Sequence, residues 1–376
     1  MNFGRESVGW ICALGFLLAG CTAPTPTAGL RLNQIQVIGT HNSYHQRADD
    51  SLMKLIAMVN PQGARDLDYG HRPLLEQLSR LGIRQVELDC YADPDGGRFA
   101  HPVGPTKLAA MGLPVPNSND PDGRLLKPGI KVMHIPDVDF GTSVLTLVDG
   151  LQEIRSWSLA HRHHIPVFIL IELKDETLGA GFTQALPWDG EALAELEREI
   201  LAVFPRDSIL TPDDVRGPAR SLPEALRRHG WPLLNDTRGK VMFGMDNEGR
   251  EQAEYLAGHP ALQGRILFVS VPPTNPAAAW MKRNDPLKEF AEIQSLVKAG
   301  FLVRTRADEP TEQARANDTA MRDQALASGA QFISTDYPEP DPRFSPYRVQ
   351  LDGGRVARVN PVNGPAGLKD VAIENP

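Results

Sequence analysis

Eight short apolar runs rich in β-branched residues recur along the chain: 35–41, 84–90, 130–136, 166–174, 240–246, 265–271, 301–308 and 330–336. Helical periodicity or a Gly/Pro-rich loop separates each from the next, with helix windows at 72–81, 142–160, 190–203, 286–299 and 311–328. Strands that alternate with helices pair in parallel, and eight of them predict an α/β fold closed as a (β/α)8 TIM barrel. The Gly-rich phosphate fingerprint of an open nucleotide-binding sheet is absent. Two segments break the rhythm. Residues 92–129 form a long Pro/Gly-rich connection expected to lie over the C-terminal mouth as a lid. Residues 347–361 alternate around Asp352-Gly353-Gly354 and predict a β-hairpin appended to the barrel.

The start of the chain gives a different kind of signal. One Arg precedes an apolar run from Trp10 to Leu18, too short for a stable transmembrane helix and therefore signal-like. It ends in Leu18-Ala19-Gly20-Cys21, which resembles a bacterial lipobox, with cleavage before Cys21 and lipid on its sulfur. The expected division is a signal segment at 1–20, a Pro/Thr-rich tether at 21–29, the barrel at 30–345 and the hairpin and tail at 346–376. The expected location is outside the cytoplasm, on a bacterial membrane. Beyond Cys21 only Cys90 remains, which excludes an internal disulfide once Cys21 is acylated and excludes a Cys-rich zinc site. At net charge −8 there is no basic footprint for nucleic acid. No feature implies a protein partner, and a monomer is expected.

Strand parity selects the candidate site. Val86 and Leu88 take one face of their run, leaving Glu87 and Asp89 together on the other; the same reasoning turns His41, His134, Glu172, the pair Arg304 and Arg306, and Ser334 with Asp336 toward the barrel interior. Polar residues thus collect at the C-terminal ends of the strands, where barrel enzymes build their sites. Glu87, Asp89, Glu172 and the Asn42 carboxamide form an all-oxygen set suited to a hard cation, Ca2+ in preference to Mg2+. Two imidazoles, His41 and His134, can handle the protons of a phosphodiester displacement. Lys174, Arg304 and Asp336 are further substrate-contact candidates. His101, in the 92–129 segment, is a spare candidate for the second histidine, and 161–164 (HRHH) is read as a structural helix end.

With those residues in view, IGTHNSY, VELDCYADPDG, VMHIPDVDF and PVFILIELKDE resemble, in order, the catalytic half of the phosphoinositide-specific phospholipases C, most closely the calcium-dependent bacterial branch. The resemblance implies a TIM barrel, His41 and His134 as the catalytic pair, and Asn42, Glu87, Asp89 and Glu172 as calcium ligands. It also implies a phospholipid substrate at a membrane surface. In the implied reaction the inositol 2-hydroxyl attacks phosphorus and expels diacylglycerol, with Glu87 or Glu172 as base, His41 on the phosphoryl group and His134 protonating the leaving oxygen. The 92–129 segment is longer than its counterpart in eukaryotic enzymes, and the eukaryotic phosphate-binding lysines have no secure equivalent. A glycerophosphodiester phosphodiesterase shares the barrel and a histidine pair, but the adjacency of His41 and Asn42 favours the phospholipase. A non-catalytic lipid- or sugar-binding protein on the same scaffold is the alternative from another class.

Overall fold

The computed structural model describes residues 1, 27, 29–368 and 371–374. The expected signal segment and most of the expected tether therefore lie outside the described residues. Ten strands follow in chain order: β1 (Ile35–Thr40), β2 (Gln85–Tyr91), β3 (Lys131–Val132), β4 (Val167–Leu173), β5 (Val241–Met245), β6 (Leu267–Val269), β7 (Trp280–Lys282), β8 (Leu302–Arg306), β9 (Phe332–Thr335) and β10 (Ala357–Val359). Eight of them run in parallel in the order β6-β5-β4-β2-β1-β9-β8-β7, with helices between. A single parallel bridge, Ser270 to Trp280, joins the two ends of that order and nearly closes the barrel. Among the described residues, no helix is long and apolar enough to cross a membrane.

Two of the expected strands change places. The run at 130–136 is not a barrel strand: Lys131 and Val132 lie antiparallel on the end of β2, and the chain then folds back through a bridge between Ile135 and Asp139. Pro136 has no N–H to extend a ladder, so an apolar, β-branched sequence ends in a turn. The missing barrel strand is β7, whose surroundings, AAAWMKR, lack the β-branched residues that mark the others. Of the helices, the window at 311–328 splits into Glu312–Ala316 and Ala320–Ser328, because Asn317 adopts a left-handed conformation at φ 52°. Asn is among the few residues other than Gly that tolerate it.

The expected hairpin does not form. The chain turns at Asp352–Gly354, but its second limb, β10, pairs antiparallel with Ile35–Val37 of β1 instead of with its first limb. The reason is room at the floor: β1 meets β2 only at Gly39 and Gln85, which leaves the early half of β1 open to another strand. The tail is thereby part of the sheet. Segment 92–129 likewise has structure of its own, with a helix at Val103–Ala110. Phe99, Leu108 and Leu125 pack with Leu52 and Met53 of helix Asp50–Val59 in a small second core beside the mouth.

Along several barrel strands, alternate residues grade from apolar at the floor to charged at the mouth. Phe168, Leu170 and Glu172 form one such column; Phe332, Ser334 and Asp336 form another; Leu302, Arg304 and Arg306 a third. At the floor the Phe168 ring meets Phe332 at 4.7 Å and Trp280 at 5.5 Å between centroids, a plug of aromatic surface that excludes water from below.

The approach of β1 to β2 is tight enough to test. A Cβ on Gly39 would lie 2.0 Å from Gln85 Oε1 and 2.7 Å from its Cβ. Gly39→Ala is expected to destabilise the fold by about 1–3 kcal/mol through overpacking, and Gln85→Ala in the same chain to recover part of the loss. Denaturant unfolding of the two single variants and the double variant measures this; strictly additive losses would place the crowding elsewhere.

Candidate active site

The mouth is built where the columns turn polar. Asn42 follows β1 with φ 44°, a left-handed turn that directs its side chain into the barrel end. Its Nδ2 donates to the Tyr69 hydroxyl at 3.0 Å, while its Oδ1 is buried without a hydrogen-bond partner. Both oxygens of Asp89 are buried in the same condition. Oxygens of Glu87, Asp89 and Glu172 all lie within 4.8 Å of one another. Burial raises the Glu87 carboxyl to about 7; it raises Asp89 well above the carboxylate range, with Glu172 adding to the effect.

Such a nest is unfavourable alone and fits a cation. Buried acceptors without donors cost about 1–3 kcal/mol each, and mutually repelling carboxylates add to that. The donor set, three carboxylates and one carboxamide oxygen, is all oxygen and matches a hard divalent ion of the calcium type. Lys174 partly answers the charge from the rim, 3.0 Å from Glu172 and 3.7 Å from Asp89.

Two histidines flank the nest, and each is held by a carboxylate. His41 Nδ1 bonds Asp336 Oδ1 at 2.9 Å, and its Nε2 lies 3.6 Å from Glu87 Oε1. Asp336 is itself tied to Arg306 at 2.9 Å. Burial and the Arg306 guanidinium lower the His41 imidazole to about 3, against the opposite pull of Asp336. The His41 carbonyl accepts a hydrogen bond from His71 Nε2 at 2.8 Å, which fixes the backbone from which both His41 and Asn42 project. His134 Nδ1 bonds Asp139 Oδ2 at 2.8 Å. The same carboxylate takes His45 Nε2 at 3.0 Å to each oxygen, and His45 is wholly buried. Against the cost of burial, His45 and His134 hold Asp139 below the usual carboxylate range.

The structure therefore brings His41, Glu87, Asp89 and Glu172 to one end of the barrel, just after β1 and on β2 and β4, as parity anticipates, and Asn42 joins them through its left-handed turn. His134 arrives there by another route, on the turn after β3. The three substrate-contact candidates are engaged internally: Lys174 by the acidic nest, Asp336 by His41 and Arg306, and Arg304 by Glu87 at 2.7 Å and Asn284 at 2.5 Å. His101 is exposed just ahead of helix Val103–Ala110. In 161–164, His164 bonds Ser158 and the Ile165 carbonyl near the floor, far from the mouth. Strand reasoning overlooks Asp139, His45 and the pair Lys282–Asp246, joined at 2.6 Å. The signals for the first two were local: Asp139 closes the turn that begins next to His134, and His45 lies three residues past Asn42.

The family model described as phosphoinositide phospholipase C, Ca2+-dependent, matches residues 30–361. Among solved structures, the chain is similar to the calcium-dependent phosphoinositol-specific phospholipase C of the Gram-negative bacterium Pseudomonas sp. In its myoinositol complex the TM-score is 0.53 at 15% identity, over 89% of this chain and 96% of that one. A second crystal form of that enzyme gives 0.52 at 14% identity, over 89% and 97%. The Ca2+-dependent enzyme of Streptomyces antibioticus gives 0.48 at 17%, over 84% and 96%. A search of curated proteins gives no match. At these identities the structural likeness speaks for the barrel, and the family match over nearly the whole described chain speaks for more: this protein belongs to the calcium-dependent phosphoinositide phospholipases C.

Proposed function

We propose that this mouth cleaves the phosphodiester of phosphatidylinositol, with Asn42, Glu87, Asp89 and Glu172 as the calcium ligands and His41 and His134 as the catalytic pair. The observation that carries the reading is the set of buried oxygens on Asn42 and Asp89 that no hydrogen-bond donor reaches, standing beside two histidines whose Nδ1 atoms are each committed to a carboxylate. Bound calcium supplies positive charge that lowers the pKa of an attacking hydroxyl and offsets negative charge at phosphorus.

The chain's own groups do the positioning and the proton transfers. With Nδ1 bonded to Asp336, His41 offers Nε2 to the phosphoryl group, and the Asp336–Arg306 pair keeps the ring from rotating. Glu87, anchored by Arg304 through Oε2, keeps Oε1 beside His41 and in reach of the inositol 2-hydroxyl. His134, held through Nδ1 by Asp139, presents Nε2 to the departing glycerol oxygen and returns a proton to it. Attack by the neighbouring hydroxyl yields a cyclic inositol phosphate and diacylglycerol. Release of inositol phosphate, and not glycerol phosphate, from the corresponding substrates tests the reading against a glycerophosphodiester hydrolase.

The division of roles has a kinetic signature. General acid catalysis is worth about 10²–10⁴-fold and matters less when the leaving group is a good one. His134→Ala is expected to lose activity on that scale toward phosphatidylinositol while keeping much of it toward an aryl inositol phosphate. His41→Ala is expected to lose both. Equal losses in the His134 variant, with folding intact by circular dichroism, would reassign the acid. The metal assignment is separately testable: EGTA should abolish cleavage and Ca2+, but not Zn2+, restore it. Asp89→Asn should raise the Ca2+ concentration needed for half-maximal rate; an unchanged requirement would remove Asp89 from the ligand set.

A further inference from the structure

The mouth and the start of the described chain lie at opposite ends of the barrel. Leu32 N donates to the Pro232 carbonyl, the Leu30 carbonyl accepts from Leu234 N, and Asn33 Nδ2 donates to the Gly300 carbonyl. Thr27 lines a cavity of about 670 Å³ with Arg84, His164 and Arg238. Each of these partners precedes a barrel strand, which puts Thr27 and residues 29–33 on the floor. His41 and Asn42 lie beyond the last residue of β1, and Glu172 is the penultimate residue of β4, whose opposite end follows His164.

Distance then decides what an anchored molecule can reach. Six residue steps separate Cys21 from Thr27, and a chain spans at most about 3.3–3.6 Å per residue, roughly 20–22 Å in all. A membrane held against the mouth is much farther away along any path the tether can take. Such a path must first pass outward beneath a helix layer about 10 Å thick. It must then climb the height of a seven-residue strand, roughly 20 Å, and the mouth loops above it.

The two ends also differ in surface chemistry. Arg162 and His163 are exposed around the floor cavity beside Arg80, which is paired with Glu76, and Glu374 is the one carboxylate among its described lining residues. Basic side chains are drawn to an anionic leaflet. At the mouth end the loops expose large apolar side chains, Met58 and Val59 after β1, Met111, Val115 and Leu126 after β2, and Leu178 after β4, among charged neighbours such as Lys54, Lys107 and Glu176.

We propose that the protein, when held on a bilayer through a lipid at Cys21, turns its basic floor to that bilayer and its mouth away, so that it cleaves phosphoinositide in a facing membrane and not in the one that holds it. The inference rests on the catalytic reading above and on acylation of Cys21. The test places the lipidated full chain in vesicles that also contain phosphatidylinositol and follows release of inositol phosphate as the vesicles are diluted at constant enzyme per vesicle. Where a tether cannot span to its target the effective local concentration is near zero, so the rate per enzyme should fall about tenfold on tenfold dilution. Inserting about 40 Gly/Ser residues before Thr27 should make the rate independent of dilution, since such a linker reaches roughly 35 Å on average and far more when extended. A dilution-independent rate for the unextended chain would overturn the proposal, as would a linker without effect. The soluble Cys21→Ser chain isolates the catalytic reading: if it fails to cleave phosphatidylinositol, that reading has failed. Failure of the full chain to float with vesicles would instead remove the anchor, and the proposal with it.

Discussion

The ion pair between Arg304 and Glu87 joins β8 to β2 across the inside of the barrel, with both side chains almost completely excluded from water. Neither charge could remain there unpaired, since an isolated buried charge costs several kcal/mol. Pairing them has consequences on both sides. Arg304 also donates to Ser334 on β9 and Asn284, drawing two more elements toward the centre. Glu87 is left with one oxygen committed and the other beside His41 and the acidic nest. The pair thus separates the barrel into an apolar lower half, filled by Phe168, Trp280 and Phe332, and an upper half in which charge can be concentrated without reaching the hydrophobic core.

That division explains why so much was readable from the sequence. A barrel strand that is apolar below and charged above writes both facts in a single alternating run, so parity alone brings Glu87, Asp89, Glu172 and His41 to the mouth. His134 reaches the mouth from a turn and not from a barrel strand, because IKVMHIP has the composition of a strand and the backbone of a turn. β7 is illegible for the converse reason: three residues in an alanine-rich stretch carry no β signal, and their pairing to β8 decides their conformation. The supporting residues were less legible still. Asp139 and His45 each lie close in sequence to a site residue, but the bond that joins them spans 94 residues, and a single sequence records no such proximity. The positive charges were legible as charges but not as partners: nothing in RTRAD says that Arg304 answers Glu87 and Arg306 answers Asp336.

The C-terminal segment illustrates how an alternating pattern can be right about conformation and wrong about partner. Its second limb does become a strand, yet it finds β1, because the narrow contact at Gly39 leaves β1 half unpaired on that side. The strand that leads to His41 and Asn42 consequently has neighbours on both edges along its length: β9 on one side, and β10 then β2 on the other. A catalytic residue at the end of such a strand inherits its rigidity.

The single bridge between Ser270 and Trp280 makes the barrel a split ring, fastened by one backbone rung, by the bond from Lys282 N to Ser270 Oγ and by the Lys282–Asp246 ion pair. Thermal opening of a closed sheet concentrates where the fewest hydrogen bonds must break. In the strand order, β1 and β2 lie halfway round from that seam. The molecule can therefore breathe on one side, between β6 and β7, while the opposite side holds the histidine and the acidic nest still. Flexibility and precision are assigned to opposite arcs of the same circle.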